Sequence, residues 1–303
     1  MPETPIVLPP APSLYMGFGA GYDGLFAAAT KAGFRANAPI RPIRFPSQQD
    51  GWFGNAFIGW KSNDPNATIS QAEIYTRLTG NTEFPRFADT NYQFSMVTPG
   101  RVRSTPIVEG RPKGEEKKRL LEIGARLRNG NAHDLLDTGG SSFGIEPFLA
   151  HYQENTNVYL TNANAEITRS SDVDAWIGGL KFSAETSYPL TDALHAVFNA
   201  SAGVYAVTAT GHYDLSMFIT DTQVAYYRDS RSTIGGRFGG EARLVHELSR
   251  NVRLAAVAGL DYWTSLPTAR MTGGAGHGAR TRTGFHDALH VNAGLELTFA
   301  LGN

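Results

Sequence analysis

The sequence ALHVNAGLELTFAL at positions 288–301 decides the fold. Apolar residues occupy every second position from Leu289 to Leu301, and from His290 to Thr298 the positions between them are polar or glycine. Alternation with a period of two is typical of an extended strand with one apolar and one polar face. The stretch is long enough to cross a bilayer as a tilted strand, which needs roughly 9 to 11 residues. The fold therefore depends on whether the apolar face meets a protein core or lipid.

The composition narrows the possible classes of protein. The chain has 303 residues, which permits one large domain or two ordinary ones. Its formal net charge of −1 argues against a nucleic-acid-binding protein, because such proteins carry a basic excess. No run approaches the roughly 20 apolar residues of a membrane-spanning helix. The absence of cysteine fits both an exported and a cytosolic protein.

The same alternation recurs along the chain and predicts ten strands. Between them lie stretches rich in Gly, Pro, Asn and Asp, which favour turns and loops. The predicted strands are 14–23, 53–61, 69–79, 119–128, 142–153, 176–188, 194–208, 234–244, 252–262 and 288–301.

The connections between these strands alternate in length. Transmembrane β-barrels have long loops outside the cell, short periplasmic turns and, in bacteria, an even number of strands. The sequence therefore predicts an all-β fold, a single antiparallel transmembrane barrel of ten strands over 14–303, with eight or twelve strands as alternatives. A Pro-rich leader at 1–13 precedes it and lacks the features of a secretory signal. The long loops are predicted near 25–52, 80–116, 154–173, 209–231 and 264–287.

The apolar faces of the predicted strands carry almost no charged residues. This fits contact with lipid, where a Lys or Arg at the bilayer midplane costs about 2 to 4 kcal/mol. A soluble β-sandwich or a lipocalin-like barrel is the alternative. Aromatic residues near the strand ends are expected to form girdles at the two membrane interfaces. They are Tyr22, Trp60, Trp176, Tyr188, Tyr262 and Trp263.

The polar faces of the strands carry acids and bases in equal number. If these faces line a narrow barrel, opposite charges pair across it, and the sequence therefore predicts a largely closed lumen. A narrow passive channel for small solutes is the alternative. The acids are Asp23, Glu73, Glu122, Glu146, Glu185, Glu241, Asp261 and Glu296, and the bases are Lys61, Arg77, Arg126, Arg128, Lys181, Arg237, Arg243 and Arg253.

From Leu14 onward the chain resembles the small and mid-sized outer-membrane β-barrel proteins of Gram-negative bacteria. The most specific part is the closing strand LHVNAGLELTFAL, which looks like the C-terminal signal that the family's insertion machinery reads. The family commonly ends on the aromatic residue itself, whereas Ala300 to Asn303 follow Phe299 here. The resemblance implies a place in the outer membrane, in contact with its lipid and lipopolysaccharide.

Enzymes occur among the barrels that the chain resembles. Outer-membrane phospholipases have a His-x-Ser element on the barrel wall, and the sequence has none. Omptin-like proteases look closest in length and strand number, and they use acidic pairs with a His-Asp couple at the outer rim. His212 with Asp214, and His286 with Asp287, are predicted at that rim, with His277 in the loop between the two pairs. Because no second acidic pair is evident on the facing rim, no catalytic residue is expected.

The other candidate sites have structural explanations. His133 and Asp134 lie near a predicted periplasmic turn. The sequence GGAGHG at 273–278 lacks the lysine and the strand-to-helix context of a phosphate-binding loop. His195 and His290 are expected to face the lumen. The sequence therefore predicts no cofactor and no metal site.

The sequence-based expectation is a non-enzymatic outer-membrane barrel with a structural or partner-binding role. Loops 25–52, 80–116 and 209–231 offer aromatic residues and arginines to an extracellular protein or glycan. The basic stretch that ends the second of these loops is either a solvated surface or a contact for an anion such as a lipopolysaccharide phosphate. A narrow channel and a rim-located hydrolase are the alternatives, and the oligomeric state is open.

Overall fold

The computed structural model describes residues 13–27, 31–32, 43–44, 47–62, 67–84, 92–94, 108–130, 140–162, 165–217, 222–272 and 280–301. The leader up to residue 12, His133, Asp134 and His277 lie outside these ranges. Ten long strands make up the fold. They are β1 (Ser13–Ala27), β2 (Gln48–Lys61), β3 (Gln71–Glu83), β4 (Val108–Gly130), β5 (Ser141–Asn162), β6 (Ala165–Thr191), β7 (Leu194–Met217), β8 (Thr222–Ser249), β9 (Val252–Thr272) and β10 (Arg280–Leu301).

The ten strands form one closed antiparallel barrel, which confirms the predicted fold. Each strand pairs with its neighbours in the chain, and β1 pairs with β10 from Leu14 opposite Leu301 to Ala27 opposite Ala288. Two short pairings lie outside the barrel wall, between Lys31–Ala32 and Ile43–Arg44 and between Tyr92–Phe94 and the start of β4. None of the described residues belongs to a helix long and apolar enough to cross a membrane.

One end of the barrel carries the short turns and both terminal strand ends. Turns at 192–193 and 250–251 join β6 to β7 and β8 to β9 there. In bacterial outer-membrane barrels the end with the short turns is the periplasmic one. This end is therefore called the periplasmic end here, and the opposite end is called the outer end.

A band of exposed apolar side chains surrounds the periplasmic part of the barrel. Phe143, Ile74 and Phe182 project from its wall with 69%, 62% and 58% of their surface exposed. Large apolar side chains are rarely left exposed in such a continuous band unless lipid or a partner covers them. The ion-pairing faces of the same strands point into the lumen. The band therefore fits the hydrocarbon layer of a bilayer, as the alternation predicted.

Five of the six aromatic residues predicted for the interfaces project outward. Tyr22, Trp176 and Tyr188 are exposed, while Trp60 and Tyr262 are half-buried on the same outer surface. Tyr22 and Tyr262 donate hydrogen bonds to Asp50 and Asp287. These polar partners mark the outer edge of the apolar band.

The prediction for Trp263 is wrong, because this side chain lies inside the barrel with none of its surface exposed. Its neighbour Tyr262 points outward, and adjacent residues of a strand point to opposite faces. The indole ring packs edge-on against the rings of Phe148 and Tyr205, at centroid distances of 5.9 and 5.2 Å. The sequence missed Trp52, which is 52% exposed on the outer surface instead.

Most strands are longer at the outer end than the sequence predicted. Regions 154–173, 209–231 and 264–287 are largely strand in the described chain, and β4 begins at Val108 inside the predicted loop 80–116. The reason is a reversal of polarity. On β5 the outward residues change from Leu149 and earlier apolar side chains to His151 and Gln153, while the inward side becomes apolar at Ala150 and Tyr152.

This reversal creates an apolar core inside the outer half of the barrel. There the inward apolar side chains of several strands pack together. The same half also holds buried charges, because Lys118 lies 3.4 Å from Glu116 and 3.8 Å from Glu154. The sequence predicted neither the apolar cluster nor this second group of charges. The buried cluster includes Leu25, Leu120, Phe148, Tyr152, Val173, Ile177, Tyr205, Val207, Tyr213, Trp263 and Leu266.

Candidate functional site

The lumen of the membrane half is crossed by ion pairs. Arg237 on β8 reaches Glu122 on β4, with Nη2 and Oε2 2.8 Å apart, and also binds Asp261 on β9 at 2.6 Å. Lys181 on β6 contacts Glu122 at 3.7 Å and Glu146 on β5 at 3.1 Å. The two contacts of Glu122 join strands that are not neighbours, so they span the lumen, whereas Asp261 and Glu146 lie on strands adjacent to those of their partners.

A second group of pairs lies around Arg126 on β4. Its Nη1 is 2.7 Å from Glu73 on β3, and its Nε is 3.6 Å from Glu146. The guanidinium stacks over the ring of Tyr75 at 4.4 Å, and the Tyr75 hydroxyl donates to Glu122 at 2.7 Å. The two groups of charges are therefore one connected network.

The other predicted lumen charges lie above and below this centre. Further pairs join Arg128 to Glu185 at 2.8 Å, Arg77 to Asp23 at 3.6 Å and Arg243 to Glu241. Glu296 accepts a hydrogen bond from Asn55 at 3.1 Å. Arg253 instead binds Glu247 at 2.9 Å, a partner that the sequence did not suggest. Lys61 is half-buried at the periplasmic end.

Small cavities lie among these side chains. Two small cavities of about 60 Å³ each lie within the network and share Arg77, Arg126, Lys181 and Arg237 in their linings. Each has room for a few water molecules.

A hairpin closes the outer half. Residues 266–272 of β9 pair with residues 280–286 of β10, and this outer hairpin folds inward across the mouth of the barrel. Leu266 and Ala269 of the outer hairpin are buried in the apolar cluster. Glu154 on β5 accepts hydrogen bonds from the Thr268 hydroxyl at 3.0 Å and the Ala269 amide at 2.9 Å. Above the ion pairs, the barrel is therefore filled by its own chain.

The two rim His-Asp motifs face different surroundings. His212 is half-buried on the outward side of β7, directly across from Asp172 on β6. His286 lies in the outer hairpin, where its Nδ1 is 3.1 Å from the carbonyl oxygen of Leu266. Burial, followed by the charge of nearby Lys118, lowers the pKa of His286 to about 4. Asp287 points outward to Tyr262 at 2.8 Å. The motifs therefore do not form one site.

The two predicted lumen histidines are buried. His195 is 3% exposed near the periplasmic end. His290 is 3% exposed, and its Nδ1 is 3.0 Å from Asp23. Across the described ranges, no group of three or more acidic or histidine side chains has the arrangement of a metal site.

The sequence missed a His-Asp pair on the outside of the barrel. His151 Nε2 is 2.8 Å from Asp174 Oδ2, and the imidazole stacks on Trp176 at a centroid distance of 4.6 Å. The Gln153 amide donates to the same carboxylate oxygen at 3.2 Å. The pair lies just above the apolar band. Its members are 23 residues apart on adjacent strands, so only the register of β5 and β6 brings them together.

No protein-family model and no curated protein sequence matches the chain. Several solved structures resemble it in fold. The outer membrane protease OmpT from Escherichia coli is 7% identical, with 95% of this chain and 97% of that chain covered and a TM-score of 0.49. The translocator domain of the autotransporter NalP from Neisseria meningitidis is 9% identical, covering 95% and 87%, with a TM-score of 0.38. A FadL homologue from Pseudomonas aeruginosa is 6% identical, covering 95% and 90%, with a TM-score of 0.25.

One sequence-based expectation is corrected by these findings. The chain was expected to be non-enzymatic, but an outer membrane protease is among the barrels it resembles. The absence of a phospholipase or omptin signature is therefore no basis for excluding catalysis on this architecture. The chain folds as a closed ten-stranded antiparallel β-barrel, and the solved structures named above resemble it in fold.

Proposed function

We propose that the protein is a sealed outer-membrane barrel that acts at the cell surface through its outer half. The observation that supports the proposal is the contact of Arg237 on β8 with Glu122 on β4, which crosses the lumen between non-neighbouring strands. The membrane half then serves as an anchor.

The chemistry of the network supports a closed state. Glu122 is 1% exposed and Arg237 is 3% exposed, so both have lost most of their contact with solvent. Removing one member of such a pair leaves a buried charge without compensation, which costs several kcal/mol. A conducting pore instead needs a water-filled interior. The network therefore disfavours the alternative of a narrow passive channel.

The outer wall supports a role at the surface. Above the apolar band, β5, β6 and β7 present polar side chains outward, among them Gln153, Asp172 and His212. Lipid head groups, lipopolysaccharide sugars, or an extracellular protein or glycan are partners of matching polarity. Binding through this wall needs no opening of the lumen.

Conductance across planar lipid bilayers tests whether the barrel is sealed. The expected result is no steady current from the wild-type protein over a wide range of voltages. Insertion is verified separately by the shift in gel mobility between unheated and boiled samples, which is typical of folded membrane barrels. Steady single-channel currents from inserted protein would overturn the proposal.

A second candidate function, hydrolysis at the outer rim, is favoured by the His151–Asp174 pair. A carboxylate that orients an imidazole is the arrangement of a general base, and such a base contributes about a hundredfold or more to a reaction rate. The pair lies just above the apolar band, at the height of lipid head groups. A fluorogenic phospholipid and a fluorogenic peptide are suitable probes.

The matched control for this candidate is His246, an exposed histidine on β8 near the periplasmic end. His151→Asn is expected to lower turnover by about a hundredfold or more, whereas His246→Asn leaves it unchanged. Absence of turnover by the wild-type protein, or equal turnover by the two variants, excludes this candidate.

A further inference from the structure

The wall of the barrel has a seam between β8 and β9. Their ladder ends outward at Arg237 opposite Trp263. Beyond that point β8 continues to Thr222 and β9 continues to Thr272. The two strands therefore separate just above the apolar band, and each runs on without the other.

Past the seam, β8 has a free edge. It stays in regular register with β7 on one side, from Gly236 opposite Val204 to Arg228 opposite His212. On the other side, no strand pairs with it in the ranges that the structure describes. The Gly236 amide donates toward β9, to the Thr264 hydroxyl at 2.7 Å. Backbone groups of a strand alternate in direction, so those of Ile234 and Ser232 point toward the same edge.

Past the same seam, β9 leaves the wall through a register irregularity. Trp263 is opposite Ala288 but Leu266 is opposite His286, so β9 has an extra residue between them. Such a bulge bends a strand. The Ser265 amide donates to the Tyr205 hydroxyl at 3.0 Å. Thr264 and Ser265 therefore form the bend at which the outer hairpin turns into the barrel.

Among the described residues, few polar contacts hold the outer hairpin in its inward position. Besides the two bonds to Glu154, the Thr283 amide donates to Asp229 at 3.2 Å, and the hydroxyls of Thr283 and Tyr213 are 3.2 Å apart. Apolar burial of Leu266 and Ala269 supplies the rest. A continuous ladder is absent, so this position is far less constrained than that of a wall strand.

We infer that the outer hairpin has two positions. One is the observed inward position, and in the other, called the wall position, residues 266–272 of β9 pair with the free edge of β8. The second position extends an interface that already exists, because the β8–β9 ladder leads straight into it. Continuing the register from Arg237 opposite Trp263 brings Thr233 opposite Pro267 and Arg231 opposite Ala269.

Pro267 is compatible with the second position. A proline lacks the backbone donor of a ladder. Because the backbone groups of Ile234 and Ser232 point toward β9, those of Thr233 point toward β7. Pro267, opposite Thr233, is therefore in a pair that needs no hydrogen bond between β8 and β9.

Movement of the outer hairpin between the two positions changes which side chains are exposed at the outer end of the barrel. With the outer hairpin inward, the apolar side chains of Val207, Ala209 and Ile177 are at most 1% exposed. With the hairpin in the wall, the same side chains line an open vestibule above the ion-paired layer. The membrane half stays closed in both positions.

Engineered cysteines test the second position without background, because the chain has no cysteine. In full-length protein in lipid vesicles, the pair Arg231→Cys and Ala269→Cys is directly opposite once the hairpin reaches the wall, whereas in the inward position Ala269 is opposite Thr283, whose amide contacts Asp229. The pair Thr208→Cys and Ser232→Cys is the control, since these residues are directly opposite in the β7–β8 ladder with side-chain oxygens 3.0 Å apart. Under diamide, the control is expected to cross-link fast and the test pair more slowly.

Adding Glu154→Gln to the test pair weakens the inward position. The loss of charge-assisted hydrogen bonds to Thr268 and Ala269 is expected to raise the cross-linking rate of the test pair by about tenfold, with no change in the control pair. Folding of each variant is verified by gel mobility. If the control cross-links while the test pair does not, with or without Glu154→Gln, the hairpin has a single position and the inference is wrong.

Discussion

Arg237 and Glu122 are four strands apart around the barrel, yet their side chains meet across the lumen at 2.8 Å. The same guanidinium binds Asp261 and stacks on Trp263 at 4.0 Å. Arg237 therefore connects the ion-paired layer in the membrane half with the apolar core above it. A residue in that position is expected to stabilise both.

Replacing Arg237 by methionine is expected to lower the free energy of unfolding by about 3 to 5 kcal/mol, because two buried carboxylates lose their partner. The temperature at which the fast-migrating folded band disappears on a gel measures the effect. Arg253→Met is the control. Arg253 is 41% exposed beside Glu247, and an exposed pair is worth at most about 1 kcal/mol. Equal shifts for the two variants would contradict a special role for Arg237.

A compensated variant separates lost charge pairing from lost packing. Arg237→Met combined with Glu122→Gln and Asp261→Asn removes the orphaned charges and is expected to recover most of the lost stability. If the triple variant is no more stable than Arg237→Met alone, the packing of the guanidinium on the aromatic rings accounts for its effect.

The membrane half was predictable from the sequence because one rule governs it. A strand between lipid and a polar lumen must alternate with a period of two, so Phe182 and Lys181 can be assigned to opposite faces from their positions alone. The sequence does not determine pairing partners, because the register between strands depends on the whole barrel. Arg237 accordingly binds Glu122, which lies on a strand that is not its neighbour.

The outer half was not predictable by the same rule. Once the wall leaves the bilayer, its outward side meets water. The alternation continues there, but the polar residues point outward and the apolar residues point inward. At that boundary Tyr262 and Trp263 are adjacent aromatics, and either could have been the outward one. The outer hairpin depends on contacts such as Glu154 with Ala269, which are 115 residues apart. Contacts between residues so far apart in the chain produce no pattern in the local sequence.

Trp263→Ala is expected to cost about 3 to 5 kcal/mol of stability, because it opens a cavity in the apolar core. Trp176→Ala is the matched control, since Trp176 is 55% exposed on the outer surface. Its loss removes an interfacial anchor but creates no internal cavity. The same gel assay, run over a temperature series, compares the two. A larger effect at Trp176 would mean that the outer half has no dry core.

Gly294 is expected to tolerate no side chain. A Cβ there lies 2.9 Å from the Cα of Gly21 on β1 and 2.8 Å from the ring of Phe53. The backbone of Gly21 cannot move away without breaking the pairing of β1 with β10. Gly294→Ala is therefore expected to lower the free energy of unfolding by about 1 to 3 kcal/mol. At Gly240 the nearest atom to a Cβ is 3.8 Å away. Gly240→Ala, measured in the same unfolding assay, should therefore be close to neutral.

The outer hairpin is expected to loosen in acid because of His286. Burial and the charge of Lys118 lower the pKa of this histidine from 6.5 to about 4 in the folded state. Between pH 6.5 and about 4, His286 binds a proton when the outer hairpin is released but stays neutral when the hairpin is docked. The stability of the docked position is therefore complete above about pH 6.5 and falls, by at most about 1.4 kcal/mol per pH unit, as the pH drops toward 4.

Hydrogen exchange of the segment around Ala269, corrected for the intrinsic pH dependence of exchange, measures this loosening. Protection is expected to decrease between pH 6.5 and 4 in the wild-type protein and to stay flat in His286→Asn, which cannot titrate in that range. His246→Asn, at the exposed site near the periplasmic end, should behave as the wild type does. Protection that is independent of pH in the wild-type protein would show that His286 is not coupled to the docking of the hairpin.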